Sequence, residues 1–269
     1  MADFIRFEFL QQALLIGVIL SMSAALLSPF LVLNQQGMIA HGLSHVSFTG
    51  FVLGLLLFDQ PLWIAIPFVV LSSILIQYLT TTIKLQGDVS IGIVTSVAFA
   101  LGLILVKTSS SFNVSIESLL VGNIFTLRSG DVLLSTIILI LIGFFVKFYY
   151  QPLFLMTYDE NYARFLKVKV SLIRYLLAIV TSLFIVIGVR SIGVLLITSL
   201  IIFPAAISTQ LSQTFKQTFL RGILLSIVAS VVGIIASHPL DIPASASIVM
   251  AYVLMFIVSF ILKKGGVLS

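Results

Sequence analysis

The chain has 269 residues, 60% of them hydrophobic and 9% charged, with a formal net charge of +5 and a mean hydropathy of +1.25. Soluble domains carry about a quarter charged residues, so this composition excludes a soluble fold. The absence of cysteine excludes disulfides, thiolate metal sites and cysteine nucleophiles, and no basic run or basic-aromatic patch points to nucleic acid.

A membrane-crossing helix needs about 20 mainly apolar residues. Such runs fall at 9–33, 37–58, 61–82, 88–107, 131–150, 171–189, 191–210, 217–237 and 243–262. Strand-type alternation is missing, which argues against a membrane barrel. The expected fold is an all-α polytopic membrane protein with about eight to nine transmembrane helices, one domain over 1–269. The first run is too long for a signal-peptide core and lacks a strongly basic start, so it reads as a retained helix.

The second run contains "IAHGLSHVSFTG", residues 39–50, with two of the three histidines in the chain. His41 and His45 stand at i and i+4, which puts them on one face of a helix. Gly37, Gly42, Ser44, Ser47, Gly50 and Gly54 make the same helix rich in small residues, the signature of close helix packing in membranes. A single buried histidine is ordinarily a hydrogen-bonded structural residue. Two stacked imidazoles at membrane depth point instead to a metal site, a proton relay or a catalytic centre. A zincin helix needs H-E-x-x-H, but Gly42 follows His41 and no acid occurs between Glu8 and Asp59. No G-x-S-x-G elbow and no phosphate-binding G-x-x-x-x-G-K-[ST] loop occurs either. Metal transport survives: imidazole suits zinc and its first-row neighbours, and zinc prefers four ligands. Two ligands from one helix are too few. A two-fold axis beside this helix supplies four.

Between the fourth and fifth long runs, "SSSFNVSIESLLVGNIFTLRSGD" (109–131) is too short to span and is expected to form a short helix at the outer surface. Asp59, Glu117 and Asp131 fall on that outer side, as a weakly acidic receiving face or a partner contact. The longest polar connection is "YYQPLFLMTYDENYARFLKVKVSLIR", residues 149–174. Tyr158, Tyr162, Phe165 and Leu166 recur at helical spacing, and Asp159 and Glu160 fall in a first turn, where the helix dipole favours acids. This is a short amphipathic helix, resting on lipid or docking a soluble partner. Short loops rich in Lys and Arg stay in the cytoplasm. Placing this loop there puts Lys84, Lys147, Arg164, Lys167, Lys169, Arg174, Lys216, Arg221, Lys263 and Lys264 inside, against Arg6, Lys107, Arg128 and Arg190 outside. The N-terminus is then outside and the C-terminus cytoplasmic.

Further along, "IIFPAAIST" places Pro204 inside a span, as a packing kink or as a bend shaping a pathway lined by Ser199 and Ser208. "ASHPLDIPASAS" carries His238 and Asp241 at the outer surface, either an outer metal-receiving pair or a turn set by Pro239 and Pro243.

The ordered set "LSPFLVLNQQGMIAHGLSHVSFTGFVLG", "ESLLVGNIFTLRSGDV", "TYDENYARFLKVKV", "SIGVLLITSLIIFPAAIST" and "IPASASIVMAYVLM" resembles the permease subunit of the bacterial zinc/manganese/iron ABC importers, over about residues 25–264. Each motif alone is weak, and the order makes the set specific. The resemblance implies a type II-like ABC importer permease in the bacterial cell membrane. It implies a second permease copy, often identical, an extracellular metal-binding lipoprotein and a cytoplasmic ABC ATPase dimer that performs the hydrolysis. The permease itself is then no enzyme and holds no cofactor; Zn²⁺, or Mn²⁺ or Fe²⁺, is cargo. The coupling loop falls at about 151–170, with Tyr158, Asp159, Glu160, Tyr162, Ala163, Phe165 and Leu166 as the helix seated in the ATPase.

Two departures stand out. The family carries Asp-x-x-x-His on its second helix, where this chain has His41 and His45; the softer pair favours zinc over manganese. Family members often have Gly where Lys167 stands. The competing readings are a gradient-driven secondary metal transporter, which needs buried carboxylates that the spans lack, an intramembrane hydrolase, which lacks a third catalytic residue, and a permease for a metal chelate, which gives no reason for paired imidazoles.

Overall fold

The computed structural model describes residues 8–58, 61–109 and 129–264. Ten helices occupy them: α1 (Glu8–Leu33), α2 (Ile39–Phe58), α3 (Pro61–Thr81), α4 (Gly87–Thr108), α5 (Ser129–Tyr158), α6 (Glu160–Phe165), α7 (Val170–Ile192), α8 (Val194–Leu211), α9 (Phe215–Leu240) and α10 (Ala244–Lys264). Among the described residues nine helices are long and apolar enough to cross a membrane, at the nine places where the apolar runs lie. The surface short helix expected within 109–131 falls almost wholly outside the described residues, as do Asp59 and Glu117.

The helices form one bundle with α1, α2 and α7 at its centre. In their most apolar windows these three bury 67%, 61% and 61% of residues, against 28% for α3, α4 and α5. α1 packs against α5, α8 and α9, whereas α2 packs against α3, α4, α7 and α8. The small residues of α2 do what their pattern predicts. A Cβ on Gly54 would lie 2.6 Å from the Cα of Pro61, so only glycine lets the α2–α3 hairpin close this tightly. Ser44 and Ser47 are fully buried and donate back to Ala40 and Leu43 carbonyls of their own helix. In this way they spare the bundle two unpaired hydroxyls.

α5 outruns the apolar run at 131–150 by a full eight residues. Gln151 and Pro152 read as a loop in the sequence, but a proline removes one ladder bond only and is overcome by good packing. Here Tyr150, Phe154 and Tyr158 recur every four residues. Their rings lie 6.1, 5.1 and 5.9 Å from the ring of Phe215 at the start of α9. The segment between α5 and α7 is therefore 159–169, shorter than the expected 151–170. α9 likewise runs through Pro239 to Leu240.

At Pro204, where a kink is expected, the helix ladder has a second participant that the sequence does not announce. Pro204 has no N–H to give the carbonyl four residues back. One residue on, the Ser28 hydroxyl of α1 enters the ladder of α8: it accepts from the Ala205 N–H at 3.0 Å and donates to the Ile201 carbonyl. Side-chain insertion of this kind bends helices. Ser28 and Pro204 are both buried among protein neighbours. Ser28→Ala leaves two backbone groups to find new partners, at about 1–3 kcal/mol. The thermal midpoint of the purified protein is expected to fall by several degrees; an unchanged midpoint would show that the ladder closes without the hydroxyl.

Candidate metal site and docking face

The turn at 34–38 sets where α2 begins. The Asn34 side-chain amide donates to the Phe30 carbonyl and to Thr157 of α5, at 2.6 and 3.0 Å. This ties the end of α1 to the end of α5, so α2 starts on the side of the bundle that carries α6. His41 and His45 occupy its first two turns. Their ring centroids lie 4.7 Å apart, edge to face, as the i, i+4 spacing predicts. His41 is exposed and His45 half-buried. The His45 ring also packs edge-on against Phe99 of α4 at 5.0 Å. Its Nδ1 is buried without a hydrogen-bond partner. Such an orphan is rare and costs about 1–3 kcal/mol unless a ligand or a neighbour satisfies it.

A groove of about 310 Å³ opens beside the pair, lined by Met38, His41 and Gly42 of α2 and its approach and by Asp88, Ile91, Gly92, Thr95 and Ser96 of α4 and its first turns. Gly42 makes the approach possible: a Cβ there would meet the Ile91 and Thr95 side chains at 2.5 and 2.6 Å. Nothing in the sequence pattern singles out Thr95 or Phe99, and for Ser96 the trace is the i+4 recurrence of small residues with Gly92. Among the described residues no group of three or more His, Asp or Glu side chains could hold a metal ion. One chain therefore offers an imidazole pair and not a closed metal centre.

The other sequence-derived sites lie apart. His238 is exposed in the last turn of α9. Asp241 ends that helix in the left-handed region with φ 51°, its N–H bonded to the Ser237 carbonyl, a stop signal in backbone terms. Asp131 is nearly buried and faces Arg190 at 3.5 Å, joining the start of α5 to the end of α7. Pro204 does not line the groove.

The amphipathic segment becomes α6. The Asp159 carboxylate caps it by accepting from the Tyr162 N–H at 3.0 Å. Glu160 accepts from Arg164 on the same helix, at 2.7 Å, and from Arg174 in the first turns of α7. Partial burial raises the Glu160 carboxyl, but the Arg164 hydrogen bond and the charges of Arg174 and Arg164 outweigh it and hold the group below the usual carboxylate range. Ala163 is the fully buried residue of α6, the point where it rests on the bundle. Tyr158, Tyr162, Phe165 and Leu166 are 63%, 51%, 80% and 46% exposed. The apolar face thus turns away from the protein. Lys167 follows with φ 59°; its N–H bonds the Arg164 carbonyl and the Val168 N–H that of Ala163. This is the left-handed helix stop that favours glycine.

Residues 6–263 match the family described as the ABC 3 transport family. The manganese import system permease protein ScaB of Streptococcus gordonii is 30% identical over 254 residues, 94% of this chain and 91% of that protein. The probable iron transport system membrane protein of Haemophilus influenzae is 29% identical over 97% of this chain and 96% of that one. Among solved structures, PsaBC from Streptococcus pneumoniae in complex with Fab superposes with a TM-score of 0.84 at 27% identity, over 96% of this chain and 95% of that chain.

Proposed function

We propose, for a chain that belongs to the ABC 3 transport family, that it is the membrane permease of an ATP-driven importer of a divalent first-row metal, with manganese as cargo. The observation that carries this is the stacked His41–His45 pair, one nitrogen of it buried and unmatched, beside an open groove at the end of a central helix. The ScaB relative, a manganese import system permease protein, supports manganese. Zinc, expected from the softness of two imidazoles, is the second reading, and the same pair favours it. An iron cargo has the support of the Haemophilus relative.

The site is incomplete in one chain. A second permease copy, placed with its α2 beside this one, doubles the imidazoles to the four that a tetrahedral ion takes. The exposed aromatic face of α6 is the seat for a soluble ATPase. Basic residues at that end of the bundle support a cytoplasmic side there in a bacterial cell, with the N-terminus outside and the C-terminus inside. Metal then arrives at the opposite end from an extracellular binding lipoprotein. His238 there is a candidate first contact.

Reconstitution of the permease with its ATPase in vesicles tests this. ATP-dependent uptake of radioactive manganese, competed by excess unlabelled manganese, is the expected result. Uptake driven by an ion gradient with no ATPase present would replace the proposal with a secondary transporter. Zinc outcompeting manganese at equal concentration would select the second reading.

A further inference from the structure

We infer that Asp88 supplies a carboxylate to the metal path, as an exit station below the histidine pair that favours a hard cation such as Mn²⁺ over Zn²⁺. This deepens the proposed function and rests on it. Asp88 lies in the first turn of α4, and its plain role is to complement the helix dipole. Three observations ask for more. Asp88 lines the same groove as His41. Asp88 is exposed at the groove mouth, and among the described residues no hydrogen bond or ion pair takes up its carboxylate, Lys84 four residues before it included, so it is open to a ligand. The same groove carries two hydroxyls about two turns further into α4, Ser96, exposed, and Thr95, whose oxygen is buried without a partner.

The order of groups along the groove gives the path its direction. α2 and α4 both start at the end of the bundle that carries α6, and both run away from it. His45 is therefore deepest, His41 lies one turn nearer that end, and Asp88 sits at the mouth. Thr95 stands beside Gly42, level with the histidines, so toward the mouth the imidazoles give out and the Asp88 carboxylate is the donor that remains. Carboxylate and hydroxyl oxygens suit manganese, whereas imidazole suits zinc. An ion leaving the imidazole pair thus meets a station that holds Mn²⁺ better than Zn²⁺. The carboxylate that the resemblance places on the second helix, and that His41 replaces, returns from α4.

Asp88→Asn in the permease–ATPase vesicles tests the assignment, with Asp88→Glu as the conservative partner. Manganese uptake is expected to fall about tenfold or more in Asp88→Asn, the scale of losing one ligand-supporting group. Zinc uptake should be nearly kept, and Asp88→Glu should restore manganese. Equal loss of both metals, or loss of neither, overturns the exit station. Loss of both metals restored in Asp88→Glu, together with a lowered thermal midpoint in Asp88→Asn, assigns Asp88 to the helix terminus alone and overturns it too. Failure of wild-type protein to move any metal is a different result, and that one removes the proposed function.

Discussion

His45→Ala is expected to lower metal uptake about a hundredfold or more, beyond the 10- to 100-fold typical of groups that merely orient a metal ligand. His45 is the better target of the pair because its surroundings are fixed. Phe99 holds one edge of the ring and His41 the other, at 5.0 and 4.7 Å, so the imidazole is presented in one orientation. Its buried Nδ1 has no partner in the protomer, which means alanine removes a group whose burial is unfavourable without a ligand. The bundle loses an edge contact and little else, so the thermal midpoint should hold while transport collapses. Transport by cells carrying the variant, set against the amount of variant in their membranes, is the measurement. Wild-type uptake per molecule would remove His45 from the metal path.

The second large effect is expected from Phe165→Asp. Phe165 is 80% exposed, so a charge there does no harm to the permease alone. In a seated complex the same aromatic ring is an anchor. Central aromatic anchors are worth about 2–4 kcal/mol on truncation, or roughly 30- to 700-fold in affinity; a buried unpaired carboxylate is costlier still. Copurification of the ATPase should be lost, and ATP-dependent uptake with it, at an unchanged thermal midpoint. Normal copurification would mean that the α6 face is not where the partner sits. The two variants separate by one readout: His45→Ala keeps the ATPase bound, and Phe165→Asp does not.

Most of the fold was legible because a membrane leaves so few choices. A stretch of about 20 apolar residues has to become a helix, and each of the nine did. Periodicity also located the histidine stack and the aromatic face of α6. Contacts between distant segments were not legible. Ser28 looks like any serine before a proline, yet its hydroxyl repairs a helix 173 residues further on. Tyr150, Phe154 and Tyr158 carry helical spacing, but Phe215 is what makes it worthwhile for α5 to continue past Pro152. In the sequence Asp88 is one acid at the start of an apolar run, and only the packing of α4 on α2 through Gly42 brings it into the groove that His41 lines. Family resemblance named the pair on α2, and it also pointed to zinc through His41. The relative's manganese and the oxygen donors of the groove pull the other way.

One dimension of α5 bears on how the whole assembly stands in its bilayer. Thirty residues of helix are about 45 Å long at 1.5 Å per residue, whereas the oil of a bilayer is about 30 Å thick. With Asp131 at one face of the bilayer, about 20 residues of helix fill the hydrocarbon, which then ends around Gln151. The last two turns then rise above the lipid as a stalk, with α6 at the tip. At that height lipid tails do not reach Phe165, so its aromatic neighbours face water until another protein covers them. A permease made in excess of its partner therefore displays a sticky knob on every copy, and cells are better served by making the two in matched amounts.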